Sequence, residues 1–284
     1  MLVTLVVAAT IHVAATTTDV RELVMAVGGD RVRVETLTDP SQGHHPRELL
    51  PRQLTVLAKA DLLARVGFDN EPWLPQALRS VRPRARDLDL SKAITPITTE
   101  TARLRADSRP HIHAFGSPNY WLDPENAHPL TAAILDKLMA ISPDHRAAFE
   151  QNRSRFLAKV DTAMARWLEQ LRPYRGTRVA VGHDAWPYFA RRFGLTITAT
   201  VEEKPGVPPS PKYLATLIDR MRQTGVRVII ADPESPMVLL HRISGATGAR
   251  VALLVPSVGA DPAASDYFTL FEVNVARLLK ALTP

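Results

Sequence analysis

PDHRAAFEQNRSRFLAKVDTAMARWLEQLRPY, residues 143–174, decides the architecture of this chain. Pro143 suits a first helical turn, and Ser142 before it can serve as an N-cap. Phe149, Phe156, Val160, Met164, Trp167 and Leu171 recur at intervals of three, four or seven, while Arg153, Lys159, Asp161, Arg166 and Glu169 fall on other faces. That spacing predicts one amphipathic helix, ended by Pro173 and Gly176. At about 1.5 Å per residue it would run roughly 45 Å, longer than a globular helix usually needs. The sequence on either side alternates strand and helix. A long helix between two such halves predicts a rigid spine joining two lobes; the alternative is a long surface helix of a single domain.

Upstream, IHVAAT (11–16) reads as a buried strand, DVRELVMAVGG as a helix and RVRVETL (31–37) as a second strand. A polar loop then leads to a helix near 51–59, the strand DLLARVG (61–67), the turn FDNEPW and a helix through Leu78. This βαβαβ order with short connections predicts a parallel sheet with helices on both faces. Patterning fades from Pro83 to Tyr120, which reads as a long loop over a cleft, and LDPENAHPLTAAILDKLMA (122–140) leads into the long helix. Downstream the pattern restarts: strands at 178–184, 195–201, 226–232 and 250–256, with helices at WPYFARRFG, 211–224, 236–247 and 266–282. The expected fold is α/β, two lobes each with a parallel sheet flanked by helices, joined by one long rigid helix. The expected boundaries are 1–142, 143–174 and 175–284.

At 284 residues with 45% hydrophobic and 23% charged content, the chain has the composition of a soluble globular protein with real cores. The net charge is +6 and the pI about 9.8, but the Lys and Arg are scattered and aromatics are few, so no nucleic-acid partner is expected. The absence of cysteine excludes disulfides, thiolate metal sites, a cysteine nucleophile and a lipid-anchoring thiol. MLVTLVVAAT (1–10) is apolar like the core of a secretory signal but lacks its basic leader, and reads as a signal remnant or a strand extension.

In open parallel sheets, ligands bind beyond the carboxyl ends of the strands. Those ends carry His44 and His45, His183, Glu202 and Glu203, and the loop HIHAFGSPNYW (111–121) adds His111, His113 and Asn119. Imidazole and carboxylate are the usual ligands of Zn²⁺ and of harder divalent metals, so these residues are candidates for a metal site. Loop histidines are also ordinary surface residues, and the spacing alone does not choose between the two readings.

Seven stretches in order carry a resemblance. They are VAATTTDVRELVMAVGGDRVRVETL, HHPRELLPRQLTVLAKADLL, FDNEPWL, HIHAFGSPNYWLDPEN, YRGTRVAVGHDAWPYFARRFGL, TVEEKPGVPPSP and VPSVGADPAASDYFTLFEVNV. With them the chain resembles the zinc and manganese solute-binding proteins of bacterial ABC importers, whose two lobes are joined by one long helix. The resemblance implies a metal ligand set of His45, Asn119, His183 and Glu202, with His44 next to the first ligand and Glu203 a spare carboxylate. Asn119 stands where the family has histidine, and about Pro256 stands where some relatives use an aspartate. Three arrangements follow: Asn119 ligates through its oxygen, His113 or His111 takes the place, or three protein ligands are completed by water.

The resemblance also implies function: a periplasmic, soluble, monomeric receptor that is not an enzyme. It would capture Zn²⁺ first and Mn²⁺ second in the cleft between the lobes and deliver it to an ABC permease. Two alternatives stand beside it. One is a receptor with a degenerate site for another small ligand or a metal chelate. The other is a metallohydrolase with an open coordination position and Glu203 as base. His12, His128, His145 and His241 read as structural, and Tyr120 and Trp121 as packing.

Overall fold

The computed structural model describes residues 10–39, 49–97, 117–202, 208–233 and 235–283. Strand and helix alternate from the start: β1 (Ile11–Ala15), α1 (Thr18–Gly28), β2 (Val32–Thr36), α2 (Pro51–Lys59), β3 (Leu62–Arg65), α3 (Leu74–Val81) and β4 (Arg86–Asp89). Two helices follow, α4 (Ala127–Ile141) and α5 (Arg146–Leu171). The alternation then resumes with β5 (Arg178–Val181), α6 (Pro187–Phe193), β6 (Thr196–Thr200), α7 (Pro211–Thr224), β7 (Val228–Ala231), α8 (Met237–Thr247), β8 (Arg250–Leu253) and α9 (Tyr267–Leu282). The strands form two parallel four-stranded sheets, ordered β2-β1-β3-β4 and β6-β5-β7-β8. This is the expected two-lobed α/β architecture.

Strand composition follows strand position. The inner strands β3, β5 and β7 read LLAR, RVAV and VIIA, and most of their side chains are buried because helices cover both faces of a parallel sheet. The edge strands β2 and β8 alternate or mix exposed and half-buried positions. Among the described residues, strand β4 departs from the expected element order. Its sequence, RDLD, has a single apolar residue and a charged run, which reads as loop; it is a strand because β3 supplies a parallel partner from Leu62↔Arg86 to Arg65↔Asp89. An edge position tolerates such charge, and it blunts pairing with other chains.

The described residues cluster into two units. One comprises those up to Ile94 together with His128–Lys159; the other comprises Thr95–Ala127 together with those from Val160 onward. In the first, Ala14, Leu37, Leu57, Leu63, Trp73 and Leu74 form a core between the sheet and helices α2 and α3. In the second, Ala180, Val201, Leu217, Met221, Ile229, Leu240 and Ile243 do the same beneath α7 and α8. Each fully buried aliphatic side chain of this kind contributes about 1.5–3 kcal/mol.

Helix α5 is flanked by 3₁₀ turns at Pro143–His145 and Arg172–Tyr174, so helical structure runs over the whole expected span. Phe149, Leu157, Val160, Trp167 and Leu171 are buried along its apolar stripe. In the first unit its Arg153 donates to Thr131 Oγ1 and the His128 carbonyl, tying it to α4. Its Asn152 donates to the Val27 carbonyl at the end of α1, where Gly29 takes φ 57° and a side chain would strike Asn152 at 2.5 Å. In the second unit Trp167 stacks on Phe271 of α9 with centroids 5.0 Å apart. Ser142 departs from the expected cap: its hydroxyl pairs with His145 Nδ1 at 2.7 Å rather than with a backbone N–H of the first turn.

Candidate metal site at the strand ends of the second sheet

Both sheets reverse their strand order between the first and third strands of the chain order, at β1/β3 and at β5/β7. Such a switch point opens a crevice beyond the strand ends. In the first sheet polar groups gather there around Glu71. Thr16 after β1 donates to Glu71 Oε1 at 2.7 Å; Val66 N–H donates to the same oxygen at 2.7 Å and Gly67 N–H to Oε2 at 3.1 Å. Burial pushes the Glu71 carboxyl above its ordinary value, although those donors and Arg65 pull the other way.

In the second sheet the same place holds His183 and Asp232. His183 comes two residues after β5 and Asp232 directly after β7, and His183 Nδ1 lies 2.7 Å from Asp232 Oδ2. The histidine side chain is 29% exposed and the aspartate 8%, so the carboxylate sits beneath the ring and the ring reaches solvent. Burial alone would lower the imidazole pKa. The Asp232 hydrogen bond and the charges of Asp232, Glu202 and Asp184 outweigh it, and the net shift is upward from 6.5.

Glu202 arrives by backbone register. Val201 N–H donates to the Val181 carbonyl at 2.8 Å and Glu202 N–H to the Gly182 carbonyl at 2.9 Å, so the β5–β6 pairing continues past the strand ends. That places Glu202 beside the residue preceding His183. The bare Cα of Gly182 matters here, since a Cβ would lie 3.2 Å from Ser235 Oγ in the turn after β7.

Asn119 lies in the same unit, at the centre of an inverse γ-turn with φ −81° and ψ 42°, in which Tyr120 N–H donates to the Pro118 carbonyl at 2.9 Å. The turn is anchored from three sides. Tyr120 and Trp121 are buried as expected, and Trp121 Nε1 donates to the Pro256 carbonyl at 2.9 Å. Asp123 is 1% exposed and binds Arg192 at 2.5 Å and Arg191 at 3.2 Å on α6, the helix that follows His183.

Of the residues singled out in the sequence, Asn119, His183 and Glu202 are placed in this unit. His44, His45, His111, His113 and Glu203 lie outside the described residues. Among the described residues, no three His, Cys, Asp or Glu side chains converge as a metal site. His12, His145 and His241 sit on β1, in the turn before α5 and on α8; His12 and His241 are exposed. Asp232 carries no signal of its own in the sequence, although the strand-end rule that selects His183 applies to it equally. It closes VRVIIAD, and a single aspartate after an apolar strand reads as an ordinary turn residue.

Residues 13–281 match the family model described as "Zinc-uptake complex component A periplasmic". The chain is 26% identical over 166 residues to the high-affinity zinc uptake system protein ZnuA of Brucella abortus, covering 58% of this chain and 50% of that protein. It is also 26% identical to the protein of the same name from Paracoccus denitrificans, covering 87% and 84%. The chain therefore spans about half the length of the Brucella relatives it matches. A crystal structure of ZnuA shares the fold, with TM-score 0.81 at 24% identity over 96% of this chain and 99% of that one.

Proposed function

This chain belongs to the family of periplasmic zinc-uptake complex component A, and on that premise we propose that it is an extracytoplasmic solute-binding protein, not an enzyme. Its cargo is a divalent transition metal, Zn²⁺ before Mn²⁺, delivered to an ABC permease in the membrane, and it works as a monomer. Among the described residues, no helix is long and apolar enough to cross a membrane. The proposed boundaries are 1–142, 143–174 and 175–284, except that the stretch around Asn119 groups with the second unit. The ligand set is His45, Asn119, His183 and Glu202. The observation that carries the reading is the pair at the strand ends. A solvent-reaching imidazole, backed by a buried carboxylate, stands next to a second carboxylate held in register on the neighbouring strand.

The chemistry of that set is capture. Neutral imidazole nitrogen and carboxylate oxygen replace water around the ion, and nitrogen donors favour zinc over harder divalent ions. Asn119 adds an amide oxygen, a harder and weaker donor than imidazole. Elemental analysis of the purified protein should find close to one transition metal ion per chain. At a hundredfold excess of Zn²⁺ over its dissociation constant, binding to the native state alone stabilises by about 2.7 kcal/mol. A metal-free preparation whose melting curve is unmoved by saturating Zn²⁺ and Mn²⁺ would overturn the reading.

A further inference from the structure

We propose that Asp232 is the positioning residue that selects the tautomer of His183 and presents its Nε2 to the metal. A neutral imidazole carries one N–H, and a carboxylate can only accept a hydrogen bond. With Asp232 Oδ2 2.7 Å from Nδ1, the proton sits on Nδ1 and the Nε2 lone pair faces away from the carboxylate. The proposal rests on the reading that His183 is a metal ligand. It adds which nitrogen ligates and what holds the ring.

Asp232 is built to hold rather than to ligate. It is 6% exposed, and its second oxygen accepts from Ser235 Oγ at 3.0 Å. Ser235 Oγ in turn accepts from Asp232 N–H at 3.2 Å, and Ser235 N–H donates to the Asp232 carbonyl at 3.1 Å. The carboxylate is therefore clamped by a turn that closes on itself. That turn packs against the bare Cα of Gly182, the residue immediately before His183. Gly182 N–H also donates to the Ile230 carbonyl at 2.7 Å, so the strand ends bearing the histidine and the aspartate are joined by backbone as well. Both rotation of the ring and movement of the carboxylate are restricted before any ion arrives. Such a partner fixes the tautomer and raises the basicity of the ligating nitrogen.

The test joins an apo measurement to a binding measurement. In metal-free protein, at a pH where the ring is neutral, the ¹⁵N shifts of His183 should show Nδ1 protonated and Nε2 bare. Asp232→Ala should lose that preference and lower Zn²⁺ affinity by about 10–100-fold. Asp232→Asn keeps an oxygen that can accept from Nδ1–H, so it should retain the tautomer and recover part of the affinity. Ser235→Ala should lose less than Asp232→Ala and serves if that variant does not fold. A parent His183 protonated on Nε2, or wild-type affinity in Asp232→Ala and Ser235→Ala while His183→Ala is impaired, overturns the positioning role and leaves the metal site standing. Full affinity in His183→Ala overturns the site itself, and this proposal with it.

Discussion

Replacing Asp123 tests how the turn carrying Asn119 is held. Its carboxylate is 0% exposed and receives Arg192 Nε at 2.5 Å, Arg192 Nη2 at 3.4 Å and Arg191 Nη2 at 3.2 Å. Its Oδ1 also caps the following turn by accepting from Glu125 N–H at 3.1 Å. Breaking a buried ion pair from one side costs about 3–5 kcal/mol when the abandoned charge stays buried. Here the side chains of Arg191 and Arg192 are 52% and 24% exposed, so the released guanidiniums can turn to water. That discounts Asp123→Asn, which keeps the cap, to about 2 kcal/mol. Asp123→Ala also loses the cap, worth about 1 kcal/mol more. At about 2–4 °C per kcal/mol for a domain of this size, the melting temperature should fall by about 4–8 °C for Asn and further for Ala. Urea unfolding of parent, Asp123→Asn, Arg192→Ala and the double variant gives the pair coupling directly. Because Tyr120 O accepts from Asp123 N–H and Asn119 O from Leu122 N–H, a loosened turn should also weaken Zn²⁺ binding, by less than His183→Ala does. Stability of Asp123→Asn within about 0.5 kcal/mol of the parent, with no coupling to Arg192, would refute the reasoning.

Four further outcomes are expected. Asn119→His should tighten Zn²⁺ binding more than Mn²⁺ binding, since it replaces an amide oxygen with imidazole, and Asn119→Ala should weaken it modestly. Side-by-side titrations including His113→Ala decide the point, for the reverse ranking would give that loop position to His113. Metal needs the neutral ring, and Asp232 raises the His183 pKa, so Zn²⁺ affinity should start to fall above pH 6.5 as acid is added. In the metal-free protein the same pair stabilises the fold fully below 6.5 and loses that contribution as pH rises through the raised value, a trend that melting curves across pH would show. In the first sheet, Glu71→Gln would set an amide donor against the N–H groups of Val66 and Gly67 and cost about 1–3 kcal/mol under acid conditions. Since burial raises the Glu71 pKa, the parent loses stability as pH rises from 4.5 through that value, so the gap should narrow; a gap independent of pH would contradict this.

Local sequence determined the elements of this protein wherever one residue pattern admits one structure. The apolar stripe from Phe149 to Leu171 needs only helical periodicity to be read, and the inner strands announce themselves as short apolar runs between turn residues. His183 and Glu202 were legible for the same reason, because the end of an apolar strand is a place the sequence marks. Tertiary structure decided what depends on a neighbour far along the chain. RDLD is a strand because β3 lies beside it. Asp232 pairs with His183 because strand order sets β7 next to β5, which puts its carboxylate 2.7 Å from an imidazole 49 residues earlier. The two switch points have the same topology and different side chains. One holds Thr16 bonded to Glu71 and the other presents His183, a difference made by which side chains the sheets bring within hydrogen-bond reach. Periodicity is local and survives in one dimension. Hydrogen-bond partnership between strand ends exists only once the sheet is assembled.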